Sequence, residues 1–146
     1  MSQERQLCTF FVENLFLGID VRDVQEVFRY QEMTPVPRAS HMVRGLINLR
    51  GQIVVAVDLR QRLELTPRPA DRLPMNVVVR ADDGPISLLV DEIGDVVEVD
   101  AATFEPAPAT VEGATRDVVI GVHKFHGQLL MLLDTHKLIQ LADVAA

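Results

Sequence analysis

The chain is written twice. Gly45–Leu63, GLINLRGQIVVAVDLRQRL, aligns without a gap on Gly121–Ile139, GVHKFHGQLLMLLDTHKLI. Gly45 falls on Gly121, Gly51 on Gly127, Gln52 on Gln128 and Asp58 on Asp134. Each copy reads as a strand, a Gly-Gln turn, five apolar residues, an aspartate and a short helical pattern. A weaker match lies upstream, where Leu15–Val27 resembles Ile86–Val99 and Ile19-Asp20 falls on Val90-Asp91, with one indel later. A repeat on this scale is one structural unit used twice, so it limits the fold more than composition does. The expected organisation is a single domain of about 7–140. Its first copy covers about 7–63, its linker 64–74 and its second copy about 75–139. The linker stretch Thr66–Pro74, TPRPADRLP, is rich in proline and charge, as a surface connection should be.

Short runs rich in Val, Ile and Phe, separated by turn signals, predict five strands per copy. They fall near 7–13, 15–20, 25–30, 45–50 and 52–57, then near 75–81, 86–91, 95–99, 118–125 and 128–133. Glu13-Asn14 and Asp83-Gly84 read as hairpin turns. Asp20–Asp23 fits a single helical turn, and Asp134–Leu141 a short C-terminal helix. Five short strands without long helices predict a mainly β chain holding a small SH3-like or OB-like barrel twice.

The last strand of each copy is unusual. Ile53–Val57, IVVAV, and Leu129–Leu133, LLMLL, do not alternate apolar with polar. Side chains alternate between the two faces of a strand, so both strands are expected to be covered on both sides. The other copy is the available cover, which packs the barrels together. The pattern is compatible with strands kept within each copy or exchanged between them.

The totals exclude several classes. With 146 residues, 48% of them hydrophobic, the chain has enough apolar mass for a packed core. A net charge of −7 argues against nucleic-acid backbones and anionic membranes as partners, and scarce aromatics argue against a single-strand-binding barrel, the remote alternative. One cysteine, Cys8, and the lack of a signal-like or membrane-spanning run point to a cytoplasmic setting without membrane insertion.

No catalytic site is expected. Asp58 and Asp134 occupy equivalent repeat positions at the start of helical runs, which reads as N-capping rather than acid–base chemistry. His123 and His126 should diverge from one strand, and no ligand spacing accompanies them, so neither metal nor cofactor is expected. Arg50, before Gly51 at a tight bend, is either a solubilising charge or an interface anchor. Arg38 and Arg44, close by in sequence, are expected to form a positive island with it, and Asn48 to support the same surface. In Val24–Val27, strand alternation places Val24 and Glu26 outward together and Val27 in the core.

Four blocks carry a resemblance. They are GIDVRDVQEV (Gly18–Val27), VRGLINLRGQIVVAVDLR (Val43–Arg60), LVDEIGDVVEV (Leu89–Val99) and GQLLMLLDTHKLI (Gly127–Ile139). In this order they resemble the CheW-like chemotaxis coupling proteins over about Leu7–Ile139. The resemblance implies two packed SH3-like five-stranded barrels and a non-catalytic scaffold. Such a scaffold links the cytoplasmic tips of chemoreceptors to the regulatory domain of a CheA-type histidine kinase, and is recruited to membrane-associated arrays. It also implies receptor contact at the matching Val24, Glu26 and Arg50. An adaptor of the same fold serving a pilus or other non-flagellar pathway, or sequestering a kinase, is the alternative. Two departures from the family pattern are Val55, where proline is frequent, and the His123–His126 hairpin.

Overall fold

The computed structural model describes residues 4–140. The chain begins with a hairpin of β1 (Glu4–Val12) and β2 (Leu15–Asp20), then a one-turn 3-10 helix at Val21–Asp23 capped by the Asp20 carboxylate, and β3 (Val24–Phe28). A second hairpin, β4 (Val43–Leu49) and β5 (Gln52–Asp58), leads into α1 (Leu59–Arg62). Beyond the linker come β6 (Met75–Val79), β7 (Ile86–Val90), β8 (Glu92–Asp100) and the two-residue β9 (Phe104–Glu105). The chain then runs through α2 (Gly113–Val118), β10 (Val119–Phe125), β11 (Gln128–Leu133) and α3 (Thr135–Leu138). The predicted strands are all present. Three short elements were not anticipated: a one-turn 3-10 helix at Ala101–Thr103, β9 and α2. The C-terminal helix is shorter than expected, and its predicted end at Leu141 lies outside the described residues.

The strands form two sheets, in the orders β8-β1-β2-β11-β10-β9 and β3-β6-β7-β5-β4. Each repeat gives its opening hairpin to the sheet built by the rest of the other repeat. β1–β2 is flanked by β8 and β11, and β6–β7 by β3 and β5. The repeats meet at two antiparallel pairs, β1 with β8 and β3 with β6, and at two parallel pairs, β2 with β11 and β5 with β7. Met131 faces Leu17 across one parallel pair and its repeat-equivalent Val55 faces Ile86 across the other. Leu17 therefore corresponds to Ile86, two residues from the upstream sequence match. The two opening hairpins have the same spacing, Phe10 pairing with Leu17 and Val79 with Ile86, so the upstream sequence match is itself out of structural register.

One large apolar core is shared by both sheets. Leu17, Ile19, Met131 and Leu133 enter it from one sheet, and Val57, Val77, Leu88 and Val90 from the other. Intervening residues face away into smaller cores: Leu130 and Leu132 with Leu7 and Val99, and Ala56 with Ile47 and Leu89. Alternation thus explains the uninterrupted apolar runs, because both faces of β5 and β11 are packed. The first residue of each run is the exception: Ile53 is 59% exposed and Leu129 38%. Both precede the point where parallel pairing begins, at Val55 and Leu130, so neither has a neighbouring strand on that side.

The matched glycines mark a shared detail. Gly45 and Gly121 each follow a register shift in their hairpin, beside a short crossing segment: Thr34 bridges to Leu46, and β9 pairs with Val122 and His123. A Cβ on Gly45 would lie 2.6 Å from the Thr34 carbonyl oxygen, and one on Gly121 would lie 2.7 Å from that of Glu105. Backbone atoms cannot swing aside, so Gly45→Ala is expected to cost about 1–3 kcal/mol through overpacking. A urea midpoint equal to that of the parent chain would show that the crossing segment does not pass there.

Candidate functional site

The β4–β5 turn is a two-residue connection between Leu49 and Gln52. Arg50 (φ 52°) and Gly51 (φ 87°) are both left-handed, as a type I′ hairpin turn requires. A left-handed arginine costs roughly 1–2 kcal/mol relative to an unstrained conformation. Asn48 supports the bend, its Oδ1 accepting a 2.9 Å hydrogen bond from the Gly51 N–H.

From this turn the Arg50 side chain, 72% exposed, reaches the Glu26 carboxylate through its guanidinium. Glu26 belongs to β3, while the turn joins β4 to β5; β3 and β4 are the opposite edges of one sheet. The ion pair therefore joins the two edges, which requires the sheet to curl on itself. It lies at the open corner of that curl, with exposed Ile53 close by in the chain.

The orientation of β3 differs from the alternation read in the sequence. Val24 faces Val79 and Glu26 faces Val78, so β3 carries one extra residue at Gln25. This β-bulge resets the phase. Val24 now packs against the shared core with Val77 and Val79. Val27 pairs with Val77 at the sheet edge and is 41% exposed rather than buried. Glu26 is turned to the opposite face, toward Arg50. The structure thus brings Glu26 and Arg50 together and places Val24 one bulge away, facing inward.

The positive island does not form. Arg44 lies at the far end of β4 from Arg50, about 20 Å away at the usual strand rise. Its guanidinium is 3.0 Å from Asp58. Arg38 occupies a separate exposed turn (φ 63°) and makes no ion pair among the described residues.

Asp58 and Asp134 cap α1 and α3, accepting from the N–H groups of Arg60 and Lys137. Asp58 also belongs to a cluster that sequence reasoning missed. Arg60 binds Asp91 through Nε (3.0 Å) and Nη2 (2.6 Å), and Arg68 binds Asp91 through Nε at 2.9 Å. The Arg68 Nη1 lies 3.4 Å from Asp58, and the Glu13 N–H donates to Asp91 at 2.7 Å. The side chains of Arg60, Arg68 and Asp91 are 6%, 2% and 3% exposed. Burial raises the Asp91 pKa, but hydrogen bonds from Arg60, Glu13 and Arg68 outweigh it and hold the carboxyl below its ordinary value. The network ties the ends of β5 and β7, the β1–β2 turn and the linker into one lock between the repeats.

The two histidines diverge. His123 is buried, its Nδ1 lying 3.0 Å from Thr103 Oγ1 and its ring against Phe104, whereas His126 is exposed at the β10–β11 turn. Burial, reinforced by Arg5, pushes the His123 pKa down. Among the described residues no group of three or more His, Cys, Asp or Glu side chains is arranged to hold a metal, and no helix is long and apolar enough to cross a membrane. A groove of about 650 Å³ lies between the repeats and is lined by Phe11, Phe16, Leu65, Val111, Leu129 and Met131.

Several known proteins are similar to this chain over most of their length. A crystal structure of the scaffolding protein TtCheW from Thermoanaerobacter tengcongensis superposes with a TM-score of 0.86 at 24% identity, covering 99% of this chain and 98% of that one. The chemotaxis protein CheW of Treponema pallidum is 29% identical over 141 residues, covering 94% of this chain and 83% of the relative. Protein FrzA of Myxococcus xanthus is 28% identical over 144 residues, covering 95% of this chain and 88% of the relative. The CheW-like domain matches residues 6–143, which contain both sheets, the lock and the Glu26–Arg50 corner, and the chain accordingly belongs to the CheW-like domain family.

Proposed function

We propose that this protein is a non-catalytic cytoplasmic scaffold coupling chemoreceptor tips to a CheA-type histidine kinase. The observation that carries the reading is the Glu26–Arg50 pair. A strained turn presents a largely exposed guanidinium beside an exposed isoleucine, and a bulge aims a carboxylate at it. A charge pair next to an apolar contact fixes the register of a docked helix hairpin, while the apolar surface supplies affinity. No cofactor or turnover enters this function. Two sheets interlocked around one core form a stiff body, so displacement of a receptor at one surface can change the packing of a kinase at another. A coupling of about 1–3 kcal/mol between the two partners is of the size such links have.

The test is a pull-down with a receptor cytoplasmic tip, with and without the kinase. Arg50→Ala is expected to change stability by no more than about 0.5 kcal/mol, as surface substitutions do. It should weaken receptor co-sedimentation and leave kinase binding intact. A collapse in melting temperature would make Arg50 structural, and undiminished receptor binding would remove the corner from the site.

A further inference from the structure

The two repeats carry the same β-bulge and support it differently. In β8, Ile93 faces Phe10 and Val96 faces Cys8, so Gly94 and Asp95 share Thr9. Thr9 Oγ1 donates to the Asp95 carbonyl, and a Cβ on Gly94 would lie 2.5 Å from that hydroxyl. This bulge is compact because its extra residue is glycine. In β3 the extra residue is Gln25, with an exposed side chain. A residue with a Cβ cannot come this close to the partner strand, so the glutamine bulge lacks this tight contact and is held in another way.

Arg80 holds it. Its Nη1 donates to the carbonyls of Arg22 (2.7 Å) and Val24 (2.8 Å), and its backbone N–H donates to the Asp23 carbonyl at 2.9 Å. Three consecutive carbonyls leading into the bulge are therefore held from one residue. In the other sheet the residue at this place is Phe11, which follows Phe10 as Arg80 follows Val79, and it has no side-chain donor. The clamp is confined to the repeat whose bulge aims a carboxylate at an arginine.

We propose that Arg80 is a positioning residue for the partner-binding corner: by holding the chain where it enters the Gln25 bulge, it keeps Glu26 on the face that Arg50 reaches. The importance of this for binding rests on the receptor reading of the corner, so the two are tested by separate measurements. In the full chain without receptor, the Arg50 side-chain N–H signals in nitrogen-15 NMR report pairing with Glu26 through their protection from solvent exchange. Arg80→Ala is expected to abolish that protection. Adding Gln25→Gly, which gives β3 the bulge residue of β8, is expected to restore it. A merely structural role for Arg80 predicts no such rescue. Receptor-tip affinity should fall roughly two- to thirty-fold in Arg80→Ala, the range in which supporting residues modulate a site, and recover in the double variant. Unchanged Arg50 protection in Arg80→Ala, or failure of Gln25→Gly to restore it, overturns the proposal. Lost protection with undiminished receptor affinity supports the clamp and overturns the receptor reading of the corner.

Discussion

Residues 1–70 and 71–146, expressed separately, are expected to remain unfolded, and to recover a cooperative fold when mixed. The reason lies in the pairing. Among the described residues of the first half, the strand pairs are β1–β2 and β4–β5, and β3 has no partner there. Within the second half the pairs are β6–β7 and β10–β11 with the two-residue β9, and β8 has no partner there. An isolated hairpin is marginal in water, and three strands with a packed face are the usual minimum. Separation also opens the shared core, where each large side chain contributes about 1.5–3 kcal/mol by burial. Leu17, Ile19, Met131 and Leu133 alone place two residues on each side of the cut. Far-UV circular dichroism and proton chemical-shift dispersion of each fragment, then of the equimolar mixture, provide the check. Native-like dispersion from 1–70 alone would mean that the first repeat completes its own barrel, and the exchanged arrangement would be wrong.

That exchange could not be read from the sequence, and the reason is physical. Strand positions follow from local signals: apolar runs, the Arg50-Gly51 and His126-Gly127 turns, and capping aspartates. Pairing between duplicated strands does not, because a hairpin fits its own copy and its sister copy with the same surface. Burial on both faces of β5 and β11 was legible, since a strand with one wet face would alternate. The wet first residues, Ile53 and Leu129, were not legible, because only the point where parallel pairing starts exposes them.

The corner was partly legible. A bend with arginine before glycine is visible in the sequence, and its pairing with Glu26 is not. Val24–Val27 alternates on paper, so the Gln25 bulge that turns Val24 inward, onto the face that Val27 shares with Val77, leaves no local mark. Arg44 is close to Arg50 in sequence, yet a strand carries its two ends far apart. Arg68 illustrates the opposite error. Prolines and charges made its segment look like a solvated linker, whereas its guanidinium is among the most buried polar groups described. One signal existed: Asp58, Arg60 and Asp91 all flank buried strand ends, and buried charges need partners.

Asp91→Ala is expected to destabilise the chain by about 3–5 kcal/mol, the cost of leaving buried charges without their partner. The carboxylate accepts from both Arg60 and Arg68 and also from the Glu13 N–H, and both arginine side chains are almost fully buried. Against a total stability of about 5–15 kcal/mol, this would bring the protein near the edge of unfolding. The effect should depend on pH with a defined sign. The folded-state pKa of Asp91 lies below its ordinary value of 3.8. Its stabilising contribution is therefore complete above the unfolded-state pKa and lost as pH falls through the folded-state value. Urea midpoints of the parent and the variant should be far apart at pH 7 and converge below about pH 4, where the parent loses what the variant already lacks. Equal midpoints at pH 7 would show that the arginines find other partners, and that the linker is not locked between the repeats through Asp91.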